Sequence, residues 1–320
     1  MVKNKEKTGV FKPKMKKTKK FSLKISSFLL DIVRGFAIGV AFIIPGFSGG
    51  SIAAILGIYE KLIGAIADIF KDFKKSVKTL FPIGVGMVIG VLSLLFPLSW
   101  ALENFPIPTV SLFVGLAIGG IPSITDRVKG GKTTLKNLLA SIIPALIVIA
   151  ISFMPIGADK NLTSLSFGGY LLLFLIGILG SSALVIPGIS GSMLLLILGY
   201  YNPIVNLITD HLLLGKDIAV SLLVLGVTAL GIAIGFIGIS VIMKFLLKNY
   251  PRATYFAIIG FIVGSIPTIF VSTVKEAGMS FTTLPASPLH WITSVLLLTV
   301  GFFLSYALVV YSRRLTAKTE

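Results

Sequence analysis

The stretch that decides the fold is residues 34–68, RGFAIGVAFIIPGFSGGSIAAILGIYEKLIGAIAD, an apolar run broken by PGFSGG at 45–50. Pro45 cannot continue a helix, the glycines relax the backbone, and Ser48 can cap a second helix. Inside a membrane, non-helical backbone is tolerated only where protein or a water-filled cavity covers it. A break at membrane depth therefore indicates a functional site.

The broken stretch occurs twice. Three segments of the first half recur in the same order about 142 to 145 residues later: PGFSG (45–49) as PGISG (187–191), LGIY (56–59) as LGYY (198–201), and GLAIGGIP (115–122) as GFIVGSIP (260–267). Since several elements recur at nearly one offset, the chain is predicted to be a tandem of two homologous halves.

The composition is that of a membrane protein. Of 320 residues, 55% are hydrophobic and 13% charged, and the mean hydropathy is +0.99. The formal charge of +17 does not indicate nucleic-acid binding, because ten of the 29 basic residues lie in the first 24 positions and most others lie in short loops. The absence of cysteine excludes disulfides and thiol chemistry. The lysine-rich N-terminus lacks the features of a cleaved signal peptide.

Charge-free runs of roughly 20 residues predict six transmembrane helices. They are 80–100, 104–125, 137–158, 218–243, 253–274 and 291–311. All strongly basic loops and both termini can face the cytoplasm only if each broken segment returns to the side from which it entered. Three spans separate the two broken segments, so the second half must be inverted relative to the first.

The predicted fold is therefore an all-α polytopic membrane protein with two inverted-topology repeats. Each repeat has one broken, re-entrant helical hairpin and three transmembrane helices. The domains are a disordered basic cytoplasmic tail (1–24), a transmembrane domain (25–312, with repeats 25–158 and 161–312) and a cytoplasmic C-terminal tail (313–320). The arm 35–44 spans only about 15 Å of a ~30 Å hydrocarbon core, which favours re-entrance. Two fully spanning arms with tips at the surface are the alternative.

The hairpin tips are the candidate binding site. Helix N-termini offer free N–H groups and partial positive charge, and two tips that enter from opposite faces would meet as one anion site. The residues assigned to it are Ser48, Gly49, Gly50, Ser51, Ser190, Gly191 and Ser192, supported by the breaking residues Pro45, Gly46, Pro187 and Gly188. The alternative is that these serines only cap helices and the glycines only permit close packing.

Two charges flank the first hairpin. Arg34 lies 11 residues before Pro45, and Glu60 lies 11 after Gly49, so both are expected at similar depth. The duplicate has Ile176 and Asn202 instead. Either the two form a structural ion pair across the hairpin, or Arg34 steers a phosphate near the inner face.

Catalytic residues are sparse. The two histidines, His211 and His290, fall in predicted outer loops, and no span carries paired carboxylates. We therefore predict a protein that is not an enzyme, with no metal site and no cofactor. Glycines in two spans are expected at close-packed helix interfaces: Gly84, Gly86, Gly90, Gly226, Gly231 and Gly235.

The paired motifs PGFSGGS with GIYE and PGISGS with LGYY resemble the bacterial polyprenyl-phosphate (undecaprenyl-phosphate) translocase family over roughly residues 28–312. The resemblance implies a multi-pass protein of the bacterial cytoplasmic membrane that returns undecaprenyl phosphate, the carrier lipid of cell-wall precursors, from the outer to the cytoplasmic leaflet. Its implied partners are this lipid and membrane lipids, with no nucleic acid. Ser51 stands where the family usually has Thr, and Phe42 occupies a position that is often polar there.

Two other functions compete on the residues alone. A carrier for a small soluble anion would share every feature of the tips and would lack only a lateral opening for a lipid tail. A membrane-embedded lipid phosphatase would need a histidine, a carboxylate set or a metal site. The coupling ion and self-association into a homo-oligomer are left open by the sequence.

Overall fold

The computed structural model describes residues 17–44, 48–208, 218–276 and 287–317, which form twelve α-helices and one 3₁₀ turn, with no strand. The first half contains α1 (Lys17–Ile43), α2 (Gly49–Ile55), α3 (Tyr59–Ala67), α4 (Phe73–Asn104), α5 (Pro106–Thr125), the 3₁₀ turn (Asp126–Val128) and α6 (Leu135–Phe153). The second half contains α7 (Phe167–Val185), α8 (Gly191–Ile197), α9 (Tyr201–Asn206), α10 (Ile218–Asn249), α11 (Pro251–Glu276) and α12 (Pro288–Ala317).

Seven of the helices in the described part of the chain are long and apolar enough to cross a membrane. They are Phe73–Asn104, Pro106–Val128, Leu135–Phe153, Phe167–Val185, Ile218–Asn249, Pro251–Val274 and Pro288–Val310. Six coincide with the predicted spans, which confirms an all-helical, multi-pass membrane protein. The seventh is α7, which the sequence assigned to an arm of the second hairpin. Its 19 residues carry no charge, so length and apolarity do not distinguish it from a full span.

Some sequence-based predictions fall at the edges of the described chain. Helix α1 begins at Lys17, inside the stretch predicted to be a disordered tail, in keeping with the good helix propensity of lysine. The tip residues Pro45 and Gly46, the loop 209–217 with His211, and the terminal segments 1–16 and 318–320 lie outside the described residues.

The order of helices repeats between the halves. Helices α2 and α8 each have seven residues and begin 142 positions apart, and α4 and α10 each have 32 residues. Pro106 and Pro251, 145 positions apart, open α5 and α11. Proline is well tolerated at the first helical position because its missing N–H would be unpaired there anyway. The tandem repeat in sequence is thus a tandem repeat of secondary structure.

The long helices pack as parallel pairs through glycines. A Cβ built on Gly35 of α1 would lie 2.0 Å from the carbonyl oxygen of Ile83 in α4, and one on Gly39 would lie 2.2 Å from that of Met87. Both positions advance by four residues, so α1 and α4 run in the same direction at backbone contact distance. In the second half, α7 and α10 pair the same way. Small residues four apart permit this approach in apolar surroundings.

The interface glycines were largely predictable from sequence. Gly86 and Gly90 lie against the backbone of α1, and Gly231 and Gly235 lie against α7, as expected. The remaining two of the predicted six, Gly84 and Gly226, have no described atom within 4 Å of a built Cβ, so the prediction is wrong for them. Each points to roughly the opposite face of its helix from the glycines that make contact.

The other parallel pairs join the two halves. Helix α5 packs on α12, and α11 packs on α6, so each half supplies a helix to the other. Helices α5 and α11 also contact each other and are the most buried of the seven long apolar helices. The core therefore lies between α5 and α11, where Val110 and Ile258 are fully enclosed.

Polar contacts gather at one end of the helix bundle. Lys244, near the end of α10, pairs with Asp68, just before α4, and its hydrogen bond lowers the pKa of that carboxyl. The hydroxyl of Tyr255, at the start of α11, donates to Glu60 in α3. Arg252 donates to the carbonyl oxygen of Gly131 at 2.5 Å. The start of α4 and the end of α10 therefore lie at the same end, and these equivalent helices run in opposite directions.

Candidate functional site

The two short helices α2 and α8 begin at equivalent serines directly after the breaks. Ser48 precedes α2 with φ −109° and ψ 129°, and Ser190 precedes α8 with φ −90° and ψ 122°. Both residues have the extended backbone of an N-cap, from which a side-chain oxygen can accept from the first turn. The local conformation expected for the two tips is therefore the same.

The start of α2 lies against the last turn of α7. Ser48 is buried, and its hydroxyl donates to the carbonyl oxygen of Ala183 at 3.4 Å. A Cβ built on Gly50 would lie 3.2 Å from the carbonyl oxygen of Val185. The hydroxyl of Tyr59 donates to this same oxygen at 2.9 Å. The first hairpin thus supplies hydrogen-bond donors to backbone that leads into the second break.

The start of α8 lies on the same turn of α7. A Cβ built on Gly191 would lie 3.6 Å from the Cβ of Ala183. Ser190 accepts from the backbone N–H of Met193 at 3.4 Å, and its oxygen lies 3.1 Å from that of Ser192. Both helix starts therefore flank the turn around Ala183, so the predicted site residues of the two hairpins lie near each other.

Ser51 lies in the first turn of α2 with its side chain fully buried. Its hydroxyl has no hydrogen-bond partner among the residues that the structure describes. An unpaired buried hydroxyl costs about 1–3 kcal/mol. Such a group beside a helix start is available to a ligand that brings an acceptor.

The two flanking charges do not pair with each other. Arg34 bonds Asp31 at 3.2 Å, one turn earlier on α1, and Glu60 accepts from Tyr255. The ion pair that crosses between the hairpin arms is instead Lys61 with Asp31 at 2.5 Å. The suggested Arg34–Glu60 pairing is therefore not the one found, because the arms are offset by a few residues. Arg34 is about 14 Å along α1 from its last residue, so it does not reach the tips.

An apolar groove opens beside the second break. It has a volume of about 560 Å³ and lies between the end of α7 and helices α10 and α11. Its walls begin at Ile186 and Pro187 and continue past Met243 and Leu246 to Tyr250. Its polar side chain Thr254 already donates to the carbonyl of Tyr250. The groove offers an elongated ligand contacts with hydrocarbon, starting next to the turn that both short helices flank.

Several residues of the site were not singled out from the sequence. Asp31 is buried and holds two cations, and Tyr59 and Tyr255 bridge the halves. The recurrence of a tyrosine at 59 and 201 within the repeated LG motif was the available signal for Tyr59. The second partner of Asp31, Lys61, and the partner of Tyr255, Glu60, lie far away in the chain, and no motif links them.

Groups suited to metal binding are absent from the described ranges: no three His, Cys, Asp or Glu side chains cluster there. His290, at the start of α12, stacks on Phe105 with ring centroids 6.1 Å apart. This contact places His290 against the turn between α4 and α5, away from the tips.

The chain is similar to known transport proteins along most of its length. A family model described as "VCA0040-like: Undecaprenyl phosphate translocase-like" matches residues 38–283. A "Polyprenyl-phosphate transporter" of Staphylococcus aureus is 34% identical over 297 residues, covering 91% of this chain and 98% of the relative. A protein of the same name from Vibrio cholerae is 26% identical over 324 residues, covering 91% and 99%. No solved structure matches the chain. Model and relatives together show that the chain belongs to the undecaprenyl phosphate translocase-like family.

Proposed function

We propose that this protein carries undecaprenyl phosphate across the bacterial cytoplasmic membrane, from the outer to the cytoplasmic leaflet, so that the carrier lipid of cell-wall synthesis can be reused. Family membership and the names of the two relatives support a polyprenyl phosphate as the substrate. The direction and the role in recycling rest on the family resemblance of the paired motifs. The lipid is moved unchanged, without hydrolysis.

The proposal includes two re-entrant hairpins. The register of α1 against α4 supports it, because Gly35 faces Ile83 and the last residue of α1 therefore lies level with about Val91. Helix α4 continues 13 residues further to Asn104, roughly 20 Å at 1.5 Å per residue. The chain nevertheless returns to begin α4 at Phe73, level with about Ile25 of α1 and 18 residues before the last residue of that helix. A tip that stops partway along a full span accounts for both observations.

The inverted orientation of the repeats has separate support. Helices α1 and α4 are parallel, α7 and α10 are parallel, and α4 and α10 run in opposite directions. The second hairpin would then enter from the opposite side to the first. Basic residues at 71–78, 127–136 and 244–252 share one end of the bundle through the contacts of Asp68 and Gly131. By the positive-inside rule this end faces the cytoplasm, together with both chain termini.

The phosphate is held where the two short helices begin. A phosphate monoester carries about −1.5 to −2 charges at neutral pH, and an unpaired anion at membrane depth is prohibitively costly. The hydroxyls of Ser48, Ser51 and Ser190, with backbone N–H groups of the two first turns, supply donors to it. Each helix has only seven residues, so the terminal N–H groups contribute more than a long-range dipole. The absence of Lys and Arg from 45–51 and 187–192 is consistent with release of the anion after transfer.

The observation that carries the proposal is the adjacency of a polar and an apolar site at one turn of α7. Both helix starts flank Ala183, and the apolar groove begins at Ile186 and Pro187. A ligand with a phosphate head and a long hydrocarbon tail matches this adjacency. A small soluble anion would bind the donors and would not occupy the groove. The groove therefore favours a lipid over a small anion as the substrate.

The proposal is tested with purified protein in proteoliposomes whose two leaflets can be assayed separately for undecaprenyl phosphate. We expect the protein to accelerate equilibration of the lipid between leaflets, while inorganic phosphate alone stays on its side of the membrane. No inorganic phosphate should be released. Transport of free phosphate without the lipid would identify a small-anion carrier, and phosphate release that is lost in Ser48→Ala protein would identify a phosphatase.

A further inference from the structure

A second cavity lies away from the tips, at the basic end of the bundle. It has a volume of about 610 Å³ and is bounded by the first half of α1, the start of α3 and the start of α4. Asp31, which lines it, is 12 residues before the last residue of α1, about 18 Å from it along the helix axis. The cavity is therefore distinct from the proposed phosphate site of the transported lipid.

The walls of this cavity carry an excess of positive charge. Four lysines line it, Lys61, Lys74, Lys75 and Lys78, against the single carboxylate of Asp31. Asp31 is only 6% exposed and is already neutralised by Lys61 and Arg34. The ammonium groups of the three α4 lysines make no ion pair with any described residue. Asp68, outside the lining, feels the charge of Lys75, whereas no carboxylate of the lining is left to complement Lys74 and Lys78.

The same cavity has an apolar rim. Phe28 of α1 is 45% exposed, and Val77 and Phe81 of α4 are 38% and 60% exposed. Phe81 lies in one of the seven helices long enough to span a membrane, at the start of its charge-free run from Thr79 to Leu102, where an exposed aromatic ring suits contact with lipid. A soluble anion would have no contact with it, whereas an acyl chain would.

We propose that this cavity binds the headgroup phosphate of an anionic bilayer phospholipid. The phosphate lies among Lys74, Lys75 and Lys78, and the acyl chains lie on Phe28, Val77 and Phe81. Basic pockets between transmembrane helices at the cytoplasmic side are suited to anionic headgroups, and each lysine near the surface contributes about 1 kcal/mol to the attraction. The bound lipid would brace the start of α4 against α1 and the first hairpin. This site requires only that the basic end lies at the membrane surface, so it does not depend on the identity of the transported substrate.

The test is a titration of the purified full-length protein, in neutral detergent, with phosphatidylglycerol or phosphatidylcholine, read as the shift in melting temperature. We expect phosphatidylglycerol to raise the melting temperature and phosphatidylcholine to have little effect. In Lys74→Gln/Lys78→Gln protein, the apparent affinity for phosphatidylglycerol should fall by roughly 30-fold, the loss of two such lysine contributions. The matched control is Lys132→Gln/Lys136→Gln, which removes two charges from the same end outside the cavity and should bind like wild type.

Three results would overturn the proposal. The first is an unchanged affinity in the Lys74/Lys78 variant, and the second is an equal loss in the Lys132/Lys136 control. The third is an equal shift with inorganic phosphate at matched ionic strength, which would indicate a soluble-anion site. For each variant, the shift is measured from its own melting temperature without lipid. A Phe28→Ser/Phe81→Ser variant gives an independent measure of the acyl contacts. Transport in neutral-lipid vesicles is a separate measurement, so failure here leaves the transport proposal standing.

Discussion

The two hairpins have corresponding sequences and different surroundings. All seven residues of α2 are buried, whereas only Met193 and Leu196 are buried among the seven residues of α8. Helix α2 packs on α5 and contacts α7, and α3 packs on α10. The equivalent pairs in the other direction, α8 with α11 and α9 with α4, make marginal contact at most within the described chain.

The short helices of the second hairpin are hydrogen-bonded to the linker that precedes α7. The N–H of Gly157 donates to the carbonyl of Leu196 at 3.2 Å, and that of Lys160 donates to Gly199 at 3.0 Å. Within the described residues no such linker bonds to the first hairpin, which is held by the other half of the molecule through Tyr59, Glu60 and Asp68. The same repeated element is therefore closely packed in the first half of the molecule and loosely packed in the second.

The difference between the two hairpins therefore arises from how they pack and not from their local sequences. In transporters built from inverted repeats, exchange of environments between the repeats moves access from one side of the membrane to the other. We infer that the first hairpin is the closed one in this structure and that the second is the more loosely held one.

The largest effect is expected from a carboxylate at either tip. Ser48→Asp and Ser190→Asp should each reduce transport of undecaprenyl phosphate by roughly tenfold or more, because the new charge repels the phosphate. Ser48→Asp should also lower stability more, since Ser48 is in the engaged hairpin and is almost fully buried. Transport per folded protein in proteoliposomes and the melting temperature in detergent measure the two effects.

A matched control for the tip variants is Ser166→Asp. Ser166 caps α7 at its far end, where its side chain accepts from the N–H of Gly169, and Asp caps equally well. The Ser166→Asp protein should transport undecaprenyl phosphate at the wild-type rate. Folded Ser48→Asp and Ser190→Asp proteins with wild-type transport would place the phosphate elsewhere.

Cross-linking tests whether the closed first hairpin must open. The chain has no native cysteine, so Asp68→Cys/Lys244→Cys protein can be joined by a short, reductively cleavable bifunctional thiol reagent without background reaction. We expect transport to stop on cross-linking and to recover after cleavage. Each single-cysteine variant treated in the same way should keep its activity. Undiminished transport in the cross-linked protein would show that this contact does not move.

Equivalent glycines should differ in their tolerance of alanine. Gly57 (φ +69°) and Gly199 (φ +75°) share a left-handed backbone, which costs a side chain about 1–2 kcal/mol. A Cβ on Gly57 meets no described atom within 4 Å, but one on Gly199 would lie 2.1 Å from the carbonyl oxygen of Ala158. Gly199→Ala should therefore lower the melting temperature clearly more than Gly57→Ala. Equal shifts would mean that the linker does not clasp the second hairpin.

The contact of Asp68 with Lys244 should give a small, pH-dependent stabilisation. Lys244 lowers the pKa of Asp68 in the folded protein, so the stabilisation is present above the ordinary aspartate pKa of about 3.9 and is lost as the pH falls through the lower folded value. Both side chains are partly exposed, so Lys244→Gln should cost at most about 1 kcal/mol at pH 7. Denaturation of both proteins at pH 7 and pH 3 measures it. A difference that grows in acid would contradict the assignment.

The smallest effect on stability is expected at Ser51, where the substitution should stabilise the protein and not destabilise it. Because its hydroxyl is buried without a described partner, Ser51→Ala should raise the stability of the ligand-free protein by up to about 1 kcal/mol. The same change should weaken transport by a few-fold if this hydroxyl donates to the phosphate. Ser221→Ala, which removes another buried hydroxyl without a described partner, should stabilise without affecting transport. Unchanged transport in Ser51→Ala would remove Ser51 from the site.

Much of the fold was predictable because it depends on patterns along the chain. Run length and the absence of charge located the six spans, and the recurrence of PG-SG and LG-Y located both breaks and both short helices. Even the cap at Ser190 follows from the residue type, since serine favours the extended N-cap backbone. These features are local, and one repeat predicts the other.

The rest of the site depends on contacts between distant segments of similar apolarity. Nothing in the sequence pattern states that Tyr59 would reach Val185, that Lys61 rather than Arg34 would cross between the arms, or that Glu60 would meet Tyr255. Such partners are selected by how far each arm slides against its neighbour, and a shift of a few residues changes the pairing. The same limitation hides the asymmetry, because corresponding sequences gave no reason to expect two environments.

The exchange of helices between the halves also has a consequence for synthesis of the chain. Gly115 and Gly119 of α5 meet their backbone partners, Leu298 and Phe302, on α12, which is synthesised much later. At 5–20 residues per second, about 10 to 40 s separate the emergence of these two helices from the ribosome. During that interval the glycine face of α5 has no partner helix in the bilayer. Completion of α12 is therefore the event that covers this face of α5, after α11 has already packed on α6.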